Sequence, residues 1–236
     1  GYWDYGTGSL GDMGCHLMDV PIKALGLFDP YSVEASISRL PYVRSYTPAD
    51  VSSSSVPASS IVTYRFNPSK LNDSKVKFTW MDGGLRPSQP DQIKEDIGVG
   101  GILIYGEKGI ISCNDYGTRA KLYIDGEVVE TGNFDGIPSN SFNHYTSWVE
   151  AMVDGYGSDK HKNLNSGFDV AGPISEVVLL GNVAVRSGLL KRSPRSNVFI
   201  GRKRLDYDSK NMVITNFDQA NQFLTREYRK GWELNI

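Results

Sequence analysis

The pattern of hydrophobic and polar positions predicts a helix near the start of the chain. Apolar residues recur with helical spacing over residues 9–27, and Thr7 or Ser9 is in position to act as the N-cap. Gly26 supplies a stop signal at the far end. Pro21 is expected to bend or restart this helix, because proline has no N–H to donate to the preceding turn.

Alternating apolar and polar residues then predict a series of strands. The first covers residues 32–40, where Val33 and Ile37 alternate with polar neighbours. Long loops are expected at residues 45–60, which are rich in Ser, Pro and Ala, and at the proline-bearing residues 85–97. Further strands are predicted at 60–66, 75–81, 101–105, 109–114 and 121–124, with turns at 82–84, 106–109 and 125–126.

Helical patterns return in the second half of the chain. Residues 143–154 and 172–188 each carry an apolar face. A short strand near residues 213–215 precedes a predicted amphipathic helix over residues 217–231, with Asp218 as its cap. Strands followed by helices predict an α+β fold, in which helices cover one face of an open, mainly antiparallel sheet. In the helix predicted over residues 143–154, the apolar face consists of Tyr145, Trp148, Val149 and Met152.

Composition and charge narrow the classes of function. No linker divides the 236 residues, so we interpret residues 1–236 as a single domain. The 25 Lys and Arg against 27 Asp and Glu give a formal charge of −2, which argues against a nucleic-acid surface or a polybasic membrane attachment. No apolar run approaches the roughly 20 residues of a membrane span. Cys15 and Cys113 are too few for a disulfide scaffold.

A glycine motif at residues 6–11 fits the dinucleotide-binding pattern G-x-G-x-x-G and opens the first predicted helix. An acidic residue, Glu34, follows within a predicted strand. That fingerprint also requires a buried parallel strand just before the turn, whereas residues 2–5 are bulky and charged. We therefore interpret the motif as a turn that brings the backbone close to the helix start.

The strongest chemical signal is the series Asp12, His16 and Asp19. Residues four and seven apart share one face of a helix, so these side chains are predicted to form a polar stripe. An imidazole exchanges protons near neutral pH, and a carboxylate beside it orients the ring, so the pair is suited to hold a hydroxyl and remove its proton. The alternative is structural, with the Asp12 carboxylate satisfying a partly buried histidine. Too few ligands accompany the stripe to predict a metal site.

Several segments resemble the C-terminal domain of Gfo/Idh/MocA oxidoreductases, especially the branch common in Bacteroidetes-type bacteria. The first is WDYGTGSLGDMGCHLMD at residues 3–19, which contains the D-x-x-x-H pattern of that family at Asp12 and His16. The others are SGFD at 166–169, EVVLLGNVA at 176–184 and NQFLTREYRKGWE at 221–233. The resemblance thus extends from one end of the chain to the other.

The resemblance implies roles for two residues of the first motif. His16 would be the acid/base on the reacting hydroxyl, and Asp12 would bind the substrate and tune His16. Trp3, Tyr5 and Asp19 are further candidates for substrate binding, the two aromatic residues because aromatic rings stack on sugars. A Rossmann domain, absent from this chain, would hold NAD or NADP, and the open sheet would form a homo-oligomer interface.

The sequence therefore leads to an expected function with two alternatives. We expect the substrate domain of an NAD(P)-dependent oxidoreductase that acts on a sugar, polyol or glycoside hydroxyl, inactive as this chain alone. One alternative is a glycoside-cleaving enzyme of the same family, and another is a non-catalytic carbohydrate-binding or assembly domain. The chain begins abruptly in aromatic sequence at Gly1 without Met, which favours a piece of a longer bacterial protein and leaves cytoplasm or periplasm open.

Overall fold

The structure is a computed structural model that describes residues 1–38, 54–129, 143–196 and 198–233. Within these ranges the chain has helices and two open antiparallel sheets, which confirms the α+β class. The helices are α1 (Gly8–Leu17), α2 (Asp19–Leu25), α3 (His144–Asp154), α4 (Asp159–Lys162) and α5 (Phe168–Ser187), with a 3₁₀ helix at Asp218–Phe223. The strands are β1 (Pro30–Ile37), β2 (Ser60–Phe66), β3 (Val76–Met81), β4 (Ile102–Tyr105), β5 (Ile110–Cys113), β6 (Lys121–Ile124), β7 (Glu127–Val129), β8 (Leu205–Asp208) and β9 (Val213–Ile214).

The larger sheet has five strands in the order β3-β2-β1-β8-β9, and neighbouring strands are antiparallel. In β2, Val62, Tyr64 and Phe66 are fully buried, whereas the alternate residues Ile61 and Thr63 are only partly covered. Successive side chains of a strand point to opposite faces, and the buried set packs against α1 and α5. The helices therefore cover one face of this sheet, as predicted, and no described helix covers the other face, which we call the open face.

The first predicted helix is divided in two at Met18. Helix α1 ends at Leu17 and α2 begins at Asp19. Pro21 consequently falls in the first turn of α2, where a missing N–H removes no helical hydrogen bond. Gly26 ends α2 in the left-handed conformation, with a φ of 66°. The predicted restart is found at Asp19, two residues before Pro21, and the predicted stop at Gly26 is confirmed.

The strands β4 to β7 form a second sheet in chain order, which corrects the expectation of a single sheet. Each strand is short and pairs with the next one along the chain, so this sheet is built from local hairpins. Its own small core consists of Ile93, Ile110 and Tyr123, and Ile93 anchors the loop that follows β3. Asp125 and Gly126 both have positive φ, as in a two-residue hairpin turn, and lead into β7, a strand that the sequence pattern missed.

The amphipathic helix predicted over residues 217–231 is reduced to the 3₁₀ helix, so this prediction is wrong. Asp218 is the first residue of that helix rather than its cap. Asn221 fixes the segment, because its side chain donates to the carbonyl of Ile214 in β9 and accepts from the same residue's N–H. The charged residues that follow are exposed, so they provide no apolar face to hold a longer helix on the core.

The other predicted elements are confirmed with small shifts of their ends. Helices α3 and α5 occupy the two predicted helical segments, and β2, β3, β4, β5, β6 and β9 lie at predicted strands. Strand β8 and the short helix α4 were not predicted. Residues 39–40 of the first predicted strand and residues 45–53 of the first predicted loop lie outside the described ranges.

Helix α5 has 20 residues, and its most apolar 18-residue window has a mean hydropathy of 1.4. By length and composition alone it is able to cross a membrane. Half of that window is buried inside the structure, where Val177 and Leu180 join the main core. A core helix passes the same test, so α5 is weak evidence for a membrane span.

Candidate functional site

Helix α1 presents Asp12 and His16 on its exposed side. Both side chains are exposed, whereas Leu10 and Gly14 on the opposite side are buried. Gly14 lies so close to α5 that a Cβ there would approach the side chain of Val178 to 3.1 Å. This close helix packing fixes the orientation of α1, and Asp12 and His16, one turn apart, face away from the core.

A tyrosine from another part of the chain contacts His16. The Tyr116 ring meets the His16 imidazole edge to face, with the ring centroids 5.6 Å apart and an interplanar angle of 69°. Tyr116 lies in the turn between β5 and β6, where the Asn114 carboxamide oxygen accepts from the N–H groups of Tyr116 and Thr118. Gly117 in the same turn packs against Val20 of α2. The turn is therefore docked beside α1 and α2.

The predicted stripe is divided by the helix break at Met18. Asp12 and His16 remain together on α1, although no hydrogen bond joins their side chains within the described residues. Asp19 begins α2, and its carboxylate forms an ion pair with Lys23 at 3.1 Å. The arrangement thus offers an imidazole and a carboxylate on an exposed surface, while Asp19 is already partnered.

The two predicted aromatic residues occupy different surroundings. Tyr5 is 91% exposed. Trp3 is partly buried, and the guanidinium of Arg186 lies 5.4 Å from the centre of its ring. Trp3 lines a cavity of about 270 Å³ between the N-terminal segment, α5 and the 3₁₀ helix, and neither Asp12 nor His16 lines it. Of the aromatic residues that the structure describes, Tyr116 is the one in ring contact with the imidazole, and no short-range pattern connects it with α1.

The glycine motif starts α1 without a strand before it. Residues 3–5 form a turn, and Thr7 occupies the N-cap position without a capping side-chain hydrogen bond. Gly8 has a φ of +69° and lies against Val56, where a Cβ would clash. A pyrophosphate loop follows a buried parallel strand, so these residues do not fit a dinucleotide. The glycines allow close approach of the backbone at the helix start.

Other candidate groups in the described residues are less suited to catalysis or to metal binding. No cluster of three or more His, Cys, Asp or Glu side chains there is arranged to hold a metal ion. Cys15 is an exposed free thiol whose sulfur donates to the backbone oxygen of Asp12. Cys113 is half-buried, and burial raises the pKa of its thiol, which disfavours the nucleophilic thiolate. His161 accepts a hydrogen bond from the N–H of Gly157 beside a short helix.

Comparison with models of known protein families gives no match, and no curated protein is significantly similar to the chain.

Proposed function

We propose that this chain is the substrate-side domain of an NAD(P)-dependent oxidoreductase that acts on a hydroxyl of a sugar, polyol or glycoside. We also propose that its fold is that of the Gfo/Idh/MocA C-terminal domain. The observation that supports this function best is the pair Asp12 and His16, which α1 holds one turn apart on an exposed face with Tyr116 against the imidazole. The α+β class and the open antiparallel sheet are compatible with it.

In the proposed reaction His16 is the general base. Its imidazole takes the proton of the substrate hydroxyl while the carbon that bears this hydroxyl is oxidised. The Asp12 carboxylate accepts a hydrogen bond from a neighbouring hydroxyl and so fixes the substrate relative to His16. The Tyr116 ring restricts rotation of the imidazole through its edge-to-face contact. NAD or NADP, the proposed oxidant, is held by a companion domain outside this chain.

The proposed partners follow from two surfaces, the exposed side of α1 that carries Asp12 and His16 and the open face of the five-stranded sheet. Exposed acid/base groups are effective once a second surface excludes water from them, which is the proposed role of the companion domain over α1. The open face of the five-stranded sheet is the proposed homo-oligomer interface. That face includes Thr63 of β2 and Thr79 of β3, which are directly paired.

The test uses the complete product of the gene that encodes this chain. We expect it to reduce NAD⁺ or NADP⁺ in the presence of at least one member of a panel of sugars, polyols and glycosides, measured by absorbance of the reduced nicotinamide. His16→Asn is expected to lower kcat by about a hundredfold or more with a small change in KM, because a general base acts mainly in the transition state. His161→Asn, the same change on α4, is the matched control and should leave kcat unchanged.

Three results would redirect the proposal. Unchanged turnover of His16→Asn removes His16 from the mechanism. Cleavage of a glycoside without net formation of NADH identifies the glycoside-cleaving alternative. Binding of carbohydrates by the wild type without turnover of any of them favours a non-catalytic binding domain.

A further inference from the structure

The connection between α5 and β8 carries an unusual concentration of positive charge. Six of the 25 Lys and Arg residues fall within residues 191–204, and no Asp or Glu accompanies them there. The whole chain has a formal charge of −2, so this connection differs strongly from the rest of the chain. Such a charge asymmetry favours the binding of an anionic partner at one place on the molecule.

Four of these cations are exposed and have no charged partner among the described residues. In that part of the chain none of the four forms an ion pair, and none donates a side-chain hydrogen bond to a carbonyl at the end of α5. They are therefore not needed to neutralise a carboxylate or to cap the helix. We call them the basic surface, which consists of Arg192, Arg195, Arg202 and Lys203.

Carboxylates near the basic surface do not cancel its charge. Asp206 pairs with Arg204 at 3.0 Å, so neither contributes a free charge. The register of β1 with β8 places Glu34 beside Arg204, but the Glu34 carboxylate pairs with Arg65 at 2.7 Å. Asp218 is exposed at the start of the 3₁₀ helix and adds a single negative charge. The balance of unpaired charge is positive.

Backbone and ring contacts hold the basic surface in place. The N–H of Arg192 donates to the carbonyl of Val198 at 2.9 Å, so the two limbs of a short hairpin pair with each other. The Arg202 guanidinium lies 4.1 Å from the centre of the Phe199 ring, and the Lys191 ammonium lies 5.9 Å from the same centre. A guanidinium stacked on a ring keeps its N–H edge available to anionic oxygens and loses little freedom when they bind.

The surroundings of the basic surface indicate the kind of anion. Phe199 is partly buried and Phe217 is buried, and Arg202 and Lys203 lie over their rings, so neither ring is an open platform for stacked bases. Among the described residues 190–204, Val198 is the exposed large apolar side chain. Protein interfaces and membrane-bound helices use a broader apolar area. A hydrated polymer that carries its charges on the outside needs no such area.

We propose that the basic surface binds an acidic polysaccharide. Sulfate or carboxylate groups repeated along the glycan contact the four cations in succession, and each contact is a charge-assisted hydrogen bond. The partner is an extended chain, because the cations lie on an exposed surface. This site is separate from the Asp12 and His16 pair and does not depend on the proposed oxidoreductase function.

The proposal is tested by calorimetric titration of the 236-residue chain with polymers matched in backbone but not in charge. Dextran sulfate is compared with dextran, and polygalacturonate with its methyl ester. Both acidic polymers are expected to bind saturably, and their affinity is expected to fall by about tenfold or more between about 50 and 200 mM salt, because binding releases counterions. Failure of both to bind saturably, or equal binding of a neutral polymer, would overturn the proposal.

Two other polyanions separate this partner from the alternatives. Single-stranded oligo-dT and phosphatidylserine vesicles are titrated at the same ionic strength. Both are expected to bind more weakly than the acidic polysaccharides, because the basic surface offers neither a stacking platform nor an apolar area. Binding of either probe as tight as that of the acidic polysaccharides would overturn the proposal in favour of a nucleic acid or a membrane.

A triple variant locates the binding on the molecule. It removes three guanidinium charges of the basic surface and is expected to weaken binding of both acidic polymers by about tenfold or more. Its substitutions are Arg192→Gln, Arg195→Gln and Arg202→Gln.

The matched control removes three cations that also include a guanidinium over a ring. Arg229 lies 5.2 Å from the centre of the Trp232 ring, and the acidic residues Glu227 and Glu233 accompany that segment. The control is expected to bind the acidic polymers as the wild type does. Its substitutions are Arg226→Gln, Arg229→Gln and Lys230→Gln.

Thermal unfolding checks that each variant is folded. The double variant Arg192→Gln, Arg195→Gln keeps the contact of Arg202 with Phe199, so the test remains available even if the triple variant fails to fold. The double variant is expected to lose affinity in the same direction and by a smaller factor. Unchanged affinity in the double variant, or an equal loss in the control, would show that the polymer does not bind at the basic surface.

Discussion

At the scale of single residues, Glu95 is the group that connects a long loop to the second sheet. Its carboxylate forms an ion pair with Lys121 of β6 at 2.7 Å and accepts a hydrogen bond from the hydroxyl of Tyr123. Lys121 is the main cause, and Tyr123 the next, of a lowered pKa of Glu95. Two residues earlier in the chain, Ile93 enters the small core of that sheet together with Tyr123. Lys94 in the same loop pairs with Glu127 of β7 at 2.8 Å, so the loop is held to this sheet by two ion pairs and by the apolar contact of Ile93.

The lowered pKa of Glu95 predicts how this connection responds to acid. A carboxylate whose pKa is depressed by folding stabilises the folded state fully above its unfolded pKa, about 4.3 for Glu, and loses this contribution as the pH falls through its lower folded value. The protection factors of the amides in β5 and β6, which are corrected for the intrinsic pH dependence of exchange, are thus expected to fall below about pH 4. Glu95→Gln should lower these protection factors already at pH 7 and change them less on acidification, whereas Glu107→Gln in the β4–β5 turn should follow the wild type. Identical pH profiles for wild type and Glu95→Gln would contradict this account.

The candidate site also shows which residues a sequence reveals and which it does not. Asp12 and His16 were predicted to share one face because helical spacing is a local property, and α1 confirms their placement. Asp19 was placed on the same stripe, but a helix break at Met18 separates it, and Lys23 partners its carboxylate. Tyr116 reaches His16 only through the docking of a distant turn, so no spacing rule could identify it.

At the scale of secondary-structure elements, helix α3 is unusual because its apolar face is exposed. Trp148, Tyr145 and Met152 are 57%, 82% and 63% exposed. Trp80 of β3 is the opposite case, with 6% exposure and an indole N–H that donates to the Asp82 carboxylate at 2.9 Å. The same residue type thus occurs once on an exposed helix and once in the core.

This contrast predicts very different costs for the same substitution. Trp80→Ala is expected to reduce the free energy of unfolding by about 3–5 kcal/mol, as for a large core side chain. Trp148→Ala should reduce it by less than about 1 kcal/mol, since it removes a side chain that is more than half exposed. Urea unfolding followed by circular dichroism measures both variants under the same conditions. A loss in Trp148→Ala as large as in Trp80→Ala would mean that α3 is buried in solution.

The elements that the sequence predicted are either long enough to show a period or, like the four-residue strands β4 to β6, marked by turn residues between them. Strand β2 alternates over its whole length, and the bounds Ser60–Phe66 agree with the prediction. Strand β8 is equally short, Leu205–Asp208, and its alternation does not stand out among charged neighbours. The helix predicted over residues 217–231 had suitable periodicity, but the contact of Asn221 with β9 determines the local structure instead. Tertiary contacts also decided that the strands form two sheets rather than one.

At the scale of the whole molecule, the open face of the five-stranded sheet is the surface that remains to be covered. Among the described residues the helices pack on one side, and the other side carries Thr63, Thr79 and the ion pair of Arg65 with Glu34 at 2.7 Å. The Nη1 atom of Arg65 is buried on this side without a hydrogen-bond partner in the described residues. A second copy of the same face, related by two-fold symmetry, would bring a matching set of polar and apolar groups against it.

We therefore expect the chain to self-associate through this face, with a mass of twice 26.1 kDa or a higher multiple in light scattering coupled to size exclusion. Thr79 is exposed and β3 is an edge strand, so Thr79→Arg should leave the fold intact while placing a long charged side chain in each half of a symmetric interface. This variant is expected to be monomeric. Thr225→Arg, an equal change at an exposed position after the 3₁₀ helix, should retain the wild-type mass. A monomeric wild type, or a Thr79→Arg variant with unchanged mass, would assign the open face to another role.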